Sequence, residues 1–248
     1  LRNYWAIFLV LLVSILAVKP LFIPGFFPMH DDTQVARVFE MGKAIRDGMF
    51  PVRWVSDLGY GYGYPIFNFY SPLPYYIGGF LTFLTDPLFA TKLMFIIGVL
   101  LSGIFMYLLA REFWGGLGGI ISAAFYLYAP YHALDIYVRG AVGEFWAYAF
   151  IPLMTLGFYK VFQKRVWKWV IVGAIGYLGV ILSHNLTALM ISPFLMTLII
   201  ILSYFSYRRD KNILTTFYLL LTTVLGLAIA AFYWIPALFE MRFTNIFS

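Results

Sequence analysis

The sequence predicts an all-α polytopic membrane protein of seven transmembrane helices, with a long first outer loop that carries interfacial helices. Three observations predict it. Of 248 residues, 62% are hydrophobic and only 11% charged, against about a quarter charged in soluble domains. Several apolar runs reach or approach the roughly 20 residues that cross a bilayer as a helix. The bases cluster in short links between alternate runs, the pattern that the positive-inside rule describes. An aromatic content of 21% suits interfacial segments, where Tyr and Trp rings settle at headgroup level. Without cysteine there can be no disulfide, thiolate metal site or thiol nucleophile.

Tyr4–Ile23 is the first span (4–23). It is too long for a signal-peptide core, and no small-residue cleavage site follows it. Leu1 is not Met, and the chain stops at Ser248 just after an apolar run, so a fragment of a longer chain is expected. Residues 24–87 form the long outer loop. Within it "DDTQVARVFEMGKAIRDG" predicts an interfacial helix over 32–48. Val35, Val38, Phe39, Gly42, Ile45 and Met49 share one face, and Gln34, Arg37, Lys43, Arg46 and Asp47 the other. Asp31 or Asp32 suits its N-cap and Gly48 the position past its end. Such a helix lies flat in the headgroup boundary. Leu73–Thr85 is too short to span and reads as a re-entrant or interfacial segment (73–85). Six further spans fill 88–235: Leu88–Ala110, Leu117–Tyr128, Phe145–Phe162, Val170–Ser183, Leu186–Tyr207 and Ile213–Ile235. Residues 236–248 begin another outer segment.

Charge selects seven spans. If 73–85 does not cross, Arg2, Arg111, Lys160, Lys164, Arg165, Lys168, Arg208, Arg209 and Lys211 share one side with only Glu112 and Asp210. That side is net +7 and the other net −1. The rule puts the basic side, with the N-terminus, in the cytoplasm. The connections 24–87, 131–144 and 183–185 are then outside. The overall +6 therefore reports topology; there is no nucleic-acid module.

The residues that could do chemistry gather on those outer connections. His30, Asp31 and Asp32 are adjacent; helix capping explains one carboxylate and leaves the other without a reason. "YHALDIYVRGAVGEFW" brings His132, Asp135, Arg139 and Glu144 to the mouth of a span. An acid beside the hydrocarbon is costly and marks a candidate site, the plainer alternative being an ion pair with Arg139. His184 sits in a tight turn between spans. Glu240 and Arg242 follow the last span, the arginine suited to phosphate. Tyr60, Tyr62 and Tyr64 alternate with glycines, as either an interfacial belt or a platform for a sugar or lipid chain. Oxygen ligands from Asp31 and Glu144 would suit Mg²⁺ or Mn²⁺. Nothing supports a serine triad, a zinc motif or a nucleotide-binding loop.

An apolar first span, an Asp-Asp pair opening a long outer loop and an interfacial helix together resemble the GT-C glycosyltransferases. The similarity continues through "PLPYYIGGFL", "MYLLAREFWGG" and "RGAVGEFW". More closely, "HDDTQVARV", "GYGYPIFNFYSPLPYY", "RGAVGE" and "SHNLTAL" look like bacterial membrane proteins described as 6-pyruvoyl-tetrahydropterin synthase-related. No zinc-binding histidine set is present, so that label does not carry pterin chemistry here. The GT-C resemblance implies sugar transfer from a polyprenyl-phosphate-linked donor at the outer face of a bacterial or archaeal plasma membrane. It implies Asp31, then Asp32, as the catalytic carboxylate of the first loop and Glu144 as the acidic residue of the later one. His30, Arg139, His184, Arg242 and the three tyrosines would bind substrate. The implied partners are the lipid-linked donor, membrane lipids and a membrane protein complex, without nucleic acid. Two other readings compete. A transporter would place ionisable residues near the bilayer midplane. A non-catalytic scaffold would leave the carboxylates unconverged or the cavity blocked.

Overall fold

The computed structural model describes residues 4–26 and 28–244. Arg2, counted above with the basic side, and residues 245–248 of the last segment lie outside them. The described residues form an all-helical bundle. Its elements are α1 (Tyr4–Ala17), α2 (Gln34–Arg46), α3 (Ile66–Phe69), α4 (Leu73–Leu81), α5 (Pro87–Leu127), α6 (Pro130–Leu134), α7 (Val142–Lys164), α8 (Trp167–Ser183), α9 (Asn185–Asp210), α10 (Leu214–Ile229) and α11 (Ala231–Glu240). By length and composition α5, α7 and α9 can each cross a membrane, and α10 with α11, bent by 64°, makes a fourth candidate. The apolar helices α1 and α8 are shorter.

The first helix is shorter than its apolar run. It stops at Ala17 and a 3₁₀ turn, Lys19–Phe22, follows. Pro20 explains the stop, because it has no N–H to donate and crowds the residue before it out of the α region.

The apolar runs 88–110 and 117–128 both fall within α5, yet α5 is not one rod. Gly115 has φ 70° and ψ −172°, a conformation essentially restricted to glycine. Beyond it the chain folds back. Leu127 packs against Gly103 and Tyr107 against Gly119, whereas 24 residues of straight helix would separate the first pair by about 36 Å. The result is a helical hairpin, and Ala6 and Val10 of α1 pack with its Tyr107 and Ala123.

The helix α7 is the centre of the bundle, with Phe145, Trp146 and Phe158 fully enclosed. By contrast α9 leaves Leu186, Leu189, Met190 and Phe194 exposed. A long apolar helix uncovered on one side faces lipid in a membrane protein. At one end of the bundle Lys160 pairs with Glu112, and Arg165 with Asp210. The other end collects the long 24–87 connection and the α6–α7 and α8–α9 turns.

The α2 helix departs from its expected faces. Val38 and Met41 pack onto Gly78 and Gly79 of α4, which turns Gln34 and Glu40 inward as well. Gln34 tolerates burial because its side chain is satisfied at both ends, donating to Gly140 O at 2.7 Å and accepting from Tyr75 Oη at 2.7 Å. The nine-residue α4 rises about 13.5 Å, too little to cross a bilayer.

Candidate functional site

The three connections meet in one cavity of about 370 Å³, lined by His30, Asp31, Tyr70, Arg139, Glu144 and His184 among others. Its first wall is the extended segment before α2, laid along the backbone that precedes α7. His30 N–H donates to Val138 O at 2.8 Å and Asp31 N–H to Arg139 O at 2.9 Å. Gly140 makes this approach possible. Its φ is +67°, and a Cβ there would sit 2.4 Å from Met29 Sδ and 2.7 Å from Asp31 O.

Asp31 does not cap α2, and neither does Asp32. The N-cap position is Thr33, with no side-chain cap bond. Asp31 is instead turned toward side chains: Oδ1 accepts from Thr33 Oγ1 at 2.8 Å and Oδ2 from Arg37 at 2.7 Å. Arg37 is itself held 4.8 Å over the Tyr70 ring. Asp32 is exposed and does not line the cavity.

The opposite wall is the first turn of α7. Glu144 Oε1 accepts from Tyr131 Oη at 2.9 Å and from Tyr148 Oη at 3.1 Å. Its Oε2 pairs with Arg139 at 2.8 Å, so the ion pair considered from sequence does form. A single Arg139 nitrogen, Nη1, also approaches Asp135 Oδ1 at 2.6 Å and Tyr131 Oη at 2.9 Å. Among the described residues Arg139 Nε and Nη2 take no hydrogen-bond partner, leaving one edge of the guanidinium for an anion. Asp135 is buried, and its Oδ2 has no partner among the described residues. Burial, with the Glu144 charge added, pushes its carboxyl up to about 6 against the pull of Arg139.

His184 closes the third side. Its Nδ1 lies 3.3 Å from the Thr187 N–H and 2.8 Å from Thr187 Oγ1, capping α9. An amide N–H can only donate, so Nδ1 accepts and the neutral ring carries its proton on Nε2. Burial holds the ring below the usual histidine range; Glu144 opposes this and Arg139 adds to it.

Five of the residues singled out from sequence, His30, Asp31, Arg139, Glu144 and His184, thus share one cavity. Tyr60, Tyr62 and Tyr64 do not: they stand exposed on the turn closed by the Val55–Tyr64 bridge. Arg242 also lies elsewhere, stacked on Phe243. Sequence reasoning missed Arg37, Tyr131, Tyr148 and Thr187. Tyr148 was findable, four residues after Glu144 on the same helix face.

No three His, Asp or Glu among the described residues gather as a metal ligand set. The oxygens of Asp31 and Glu144 already accept from Thr33, Arg37, Tyr131, Tyr148 and Arg139. This donor set does not fit the Mg²⁺ or Mn²⁺ expected from two carboxylates, and no step below runs through a metal.

Beside the polar cavity lies an apolar groove of about 520 Å³, walled by Phe69, Tyr177, Leu189, Trp234 and Leu238. Leu186 lines both spaces, and Phe69 and Tyr70, one in each, are consecutive.

Residues 67–246 match a family described as 6-pyruvoyl-tetrahydropterin synthase related domain; membrane protein. That segment includes Arg139, Glu144 and His184 and begins after Asp31. The chain is also similar to a protein of Lactococcus lactis subsp. cremoris (strain MG1363), described as uncharacterized, with 26% identity over 249 residues. The similarity covers 97% of this chain and 40% of that relative's length. A family match over well more than half of the residues settles membership: the chain belongs to the 6-pyruvoyl-tetrahydropterin synthase related family of membrane proteins.

Proposed function

We propose that the protein is a seven-span membrane glycosyltransferase of GT-C type, moving a sugar from a polyprenyl-phosphate donor to an acceptor hydroxyl at the outer face. The seven spans count the two arms of α5 separately and take α10 with α11 as one; the basic end then faces the cytoplasm. The observation that carries the reading is the convergence of Asp31 and Glu144 on one cavity. The adjoining apolar groove supports a lipid-linked donor, since a chain lying there leaves its head group at Leu186, on the rim of the polar cavity.

In this mechanism the acceptor oxygen attacks the anomeric carbon as the bond from that carbon to the phosphate oxygen breaks. The electron pair leaves with the lipid phosphate, and the acceptor proton passes to Asp31, giving inversion. Arg139, through Nε and Nη2, and the His184 Nε2–H offset the charge that develops on the phosphate. Glu144 positions Arg139 and the acceptor. Incubating the purified protein with radiolabelled polyprenyl-phosphate sugars tests this. Transfer that is lost in Asp31→Asn and Glu144→Gln supports it, and activity unchanged in both sinks it.

A second reading, a non-catalytic scaffold, draws on a different observation: both carboxylates are already neutralised internally. It predicts no transfer by any variant, and a partner subunit that co-purifies equally with wild type and Asp31→Asn.

A further inference from the structure

On the far side of the α6–α7 junction lies a separate cavity of about 230 Å³, bounded by the end of α1, by α5 and by α6. Most of its wall is apolar, from Leu16, Val99, Leu127, Ile136 and Phe145, but His132 and Ser102 also line it. Both residues are more than nine-tenths buried, and among the described residues His132 Nε2 and Ser102 Oγ have no hydrogen-bond partner. A third orphan is near: Trp146 Nε1 lies against Gly98, one helical turn before Ser102. Each buried polar atom left unpaired costs about 1–3 kcal/mol. Two of these three, on His132 and Ser102, belong to residues that line the cavity and point to an occupant.

The chemistry of the wall defines that occupant. His132 Nδ1 faces Tyr126 O at 2.5 Å. A carbonyl only accepts, so Nδ1 carries the proton and Nε2 presents a lone pair. Burial lowers the pKa of the ring and keeps it neutral. Ser102 both donates and accepts, and no charged side chain among the described residues lines the cavity. An apolar cavity of about 150 Å³ holds benzene, with six heavy atoms. In proportion, this one holds about nine.

We propose that this cavity binds an uncharged amphiphile: one hydroxyl at His132 and Ser102, with an apolar body of about eight carbons along Leu16, Val99 and Ile136. The site is independent of the sugar-transfer reading. Its test is photolabelling of the detergent-purified protein with a diazirine-bearing octanol. Label is expected on peptides from α5, α6 and the start of α7. Excess octanol should compete at least fivefold better than octane. Ala133→Trp, at an exposed rim position, should cut labelling at least fivefold. Ser102→Ala, which alters no packing volume of consequence, should erase the preference for octanol over octane. Label spread over the lipid-facing surface of α9, octane competing equally in the wild type, or undiminished labelling in Ala133→Trp overturns the site and leaves water as the occupant.

Discussion

Replacing Asp31 by asparagine separates its structural work from its proposed chemistry, because the two losses differ in size. Structurally, Asp31 accepts from Arg37 and Thr33, and its side chain is 28% exposed. A hydrogen bond to a charged group contributes about 1.5–3 kcal/mol. Asparagine keeps the shape and one accepting oxygen, while Arg37 keeps its seat over Tyr70. The expected loss of stability is therefore about 1–2 kcal/mol. A membrane domain with a reserve of several kcal/mol stays almost wholly folded after that loss. Removing a general base, by contrast, costs about 10²–10⁴ in rate. Thermal unfolding in detergent should show a small drop in midpoint, and the radiolabelled-sugar assay a loss of at least a hundredfold. Asp32→Asn, on an exposed side chain outside the cavity, should change neither. Transfer within fivefold of wild type in Asp31→Asn would refute the base assignment, however stable the variant proves.

The remaining expectations concern the fold and the two other walls of the site. Gly115→Ala should cost about 1–3 kcal/mol through its backbone conformation alone, since an added Cβ there meets nothing within 4 Å; helical Gly116→Ala should be neutral or slightly stabilising, and equal midpoints for the two would contradict the hairpin. The carboxyl of Asp135 is raised from 3.8 to about 6, so the native state holds a proton that the unfolded state has lost between those values. Stability should fall as pH rises from about 3.8 to about 6 and level off above, and Asp135→Asn should flatten that slope in thermal scans. His184→Asn should preserve the cap on α9 while removing the Nε2 donor, whereas His184→Ala should also cost about 1 kcal/mol of stability; if both retain full transfer, His184 does not touch the phosphate.

Periodicity and charge carried a good part of this architecture, and where they failed the reasons are local. The break between 110 and 117 is legible because Gly115 and Gly116 interrupt two apolar runs, although the backbone stays helical on both sides of them. Composition cannot show that Gln34 is buried. Its polar side chain is paid for by Gly140 O and Tyr75, which lie far away in sequence. The convergence of Asp31 with Glu144 was foreshadowed only by side assignment. What brings them together is the backbone pairing of residues 30 and 31 with 138 and 139, and Gly140 permits it. No motif marks that contact. The link from Arg37 to Asp31 was equally hidden, because six residues across a helix start is not a helical spacing. The tyrosine–glycine alternation was the most conspicuous pattern in the loop and lies away from the cavity. A conspicuous pattern records a backbone need, here the positive φ of Gly59, Gly61 and Gly63, as readily as a binding surface.

The internal ion pairs bear on both readings of the cavity, and the charge count separates them. Asp31, Asp135 and Glu144 face Arg37 and Arg139, so the ionised cluster is net −1 and repels a phosphate. Protonating Asp135 brings it to neutral while Arg139 keeps Glu144 as partner and Nε and Nη2 remain open. Under the sugar-transfer proposal a lipid phosphate would then bind Arg139 without displacing Glu144. The sugar-transfer proposal therefore predicts proton uptake when the donor binds. A phosphate leaving group asks little of the base until the bond to the anomeric carbon is largely broken. Orientation then matters more than basicity. A scaffold has no need of an arginine edge held open beside two fixed carboxylates. For the scaffold reading to stand, that edge must be filled by a partner's carboxylate, and Arg139→Gln would then release the partner while leaving lipid phosphate binding at zero before and after.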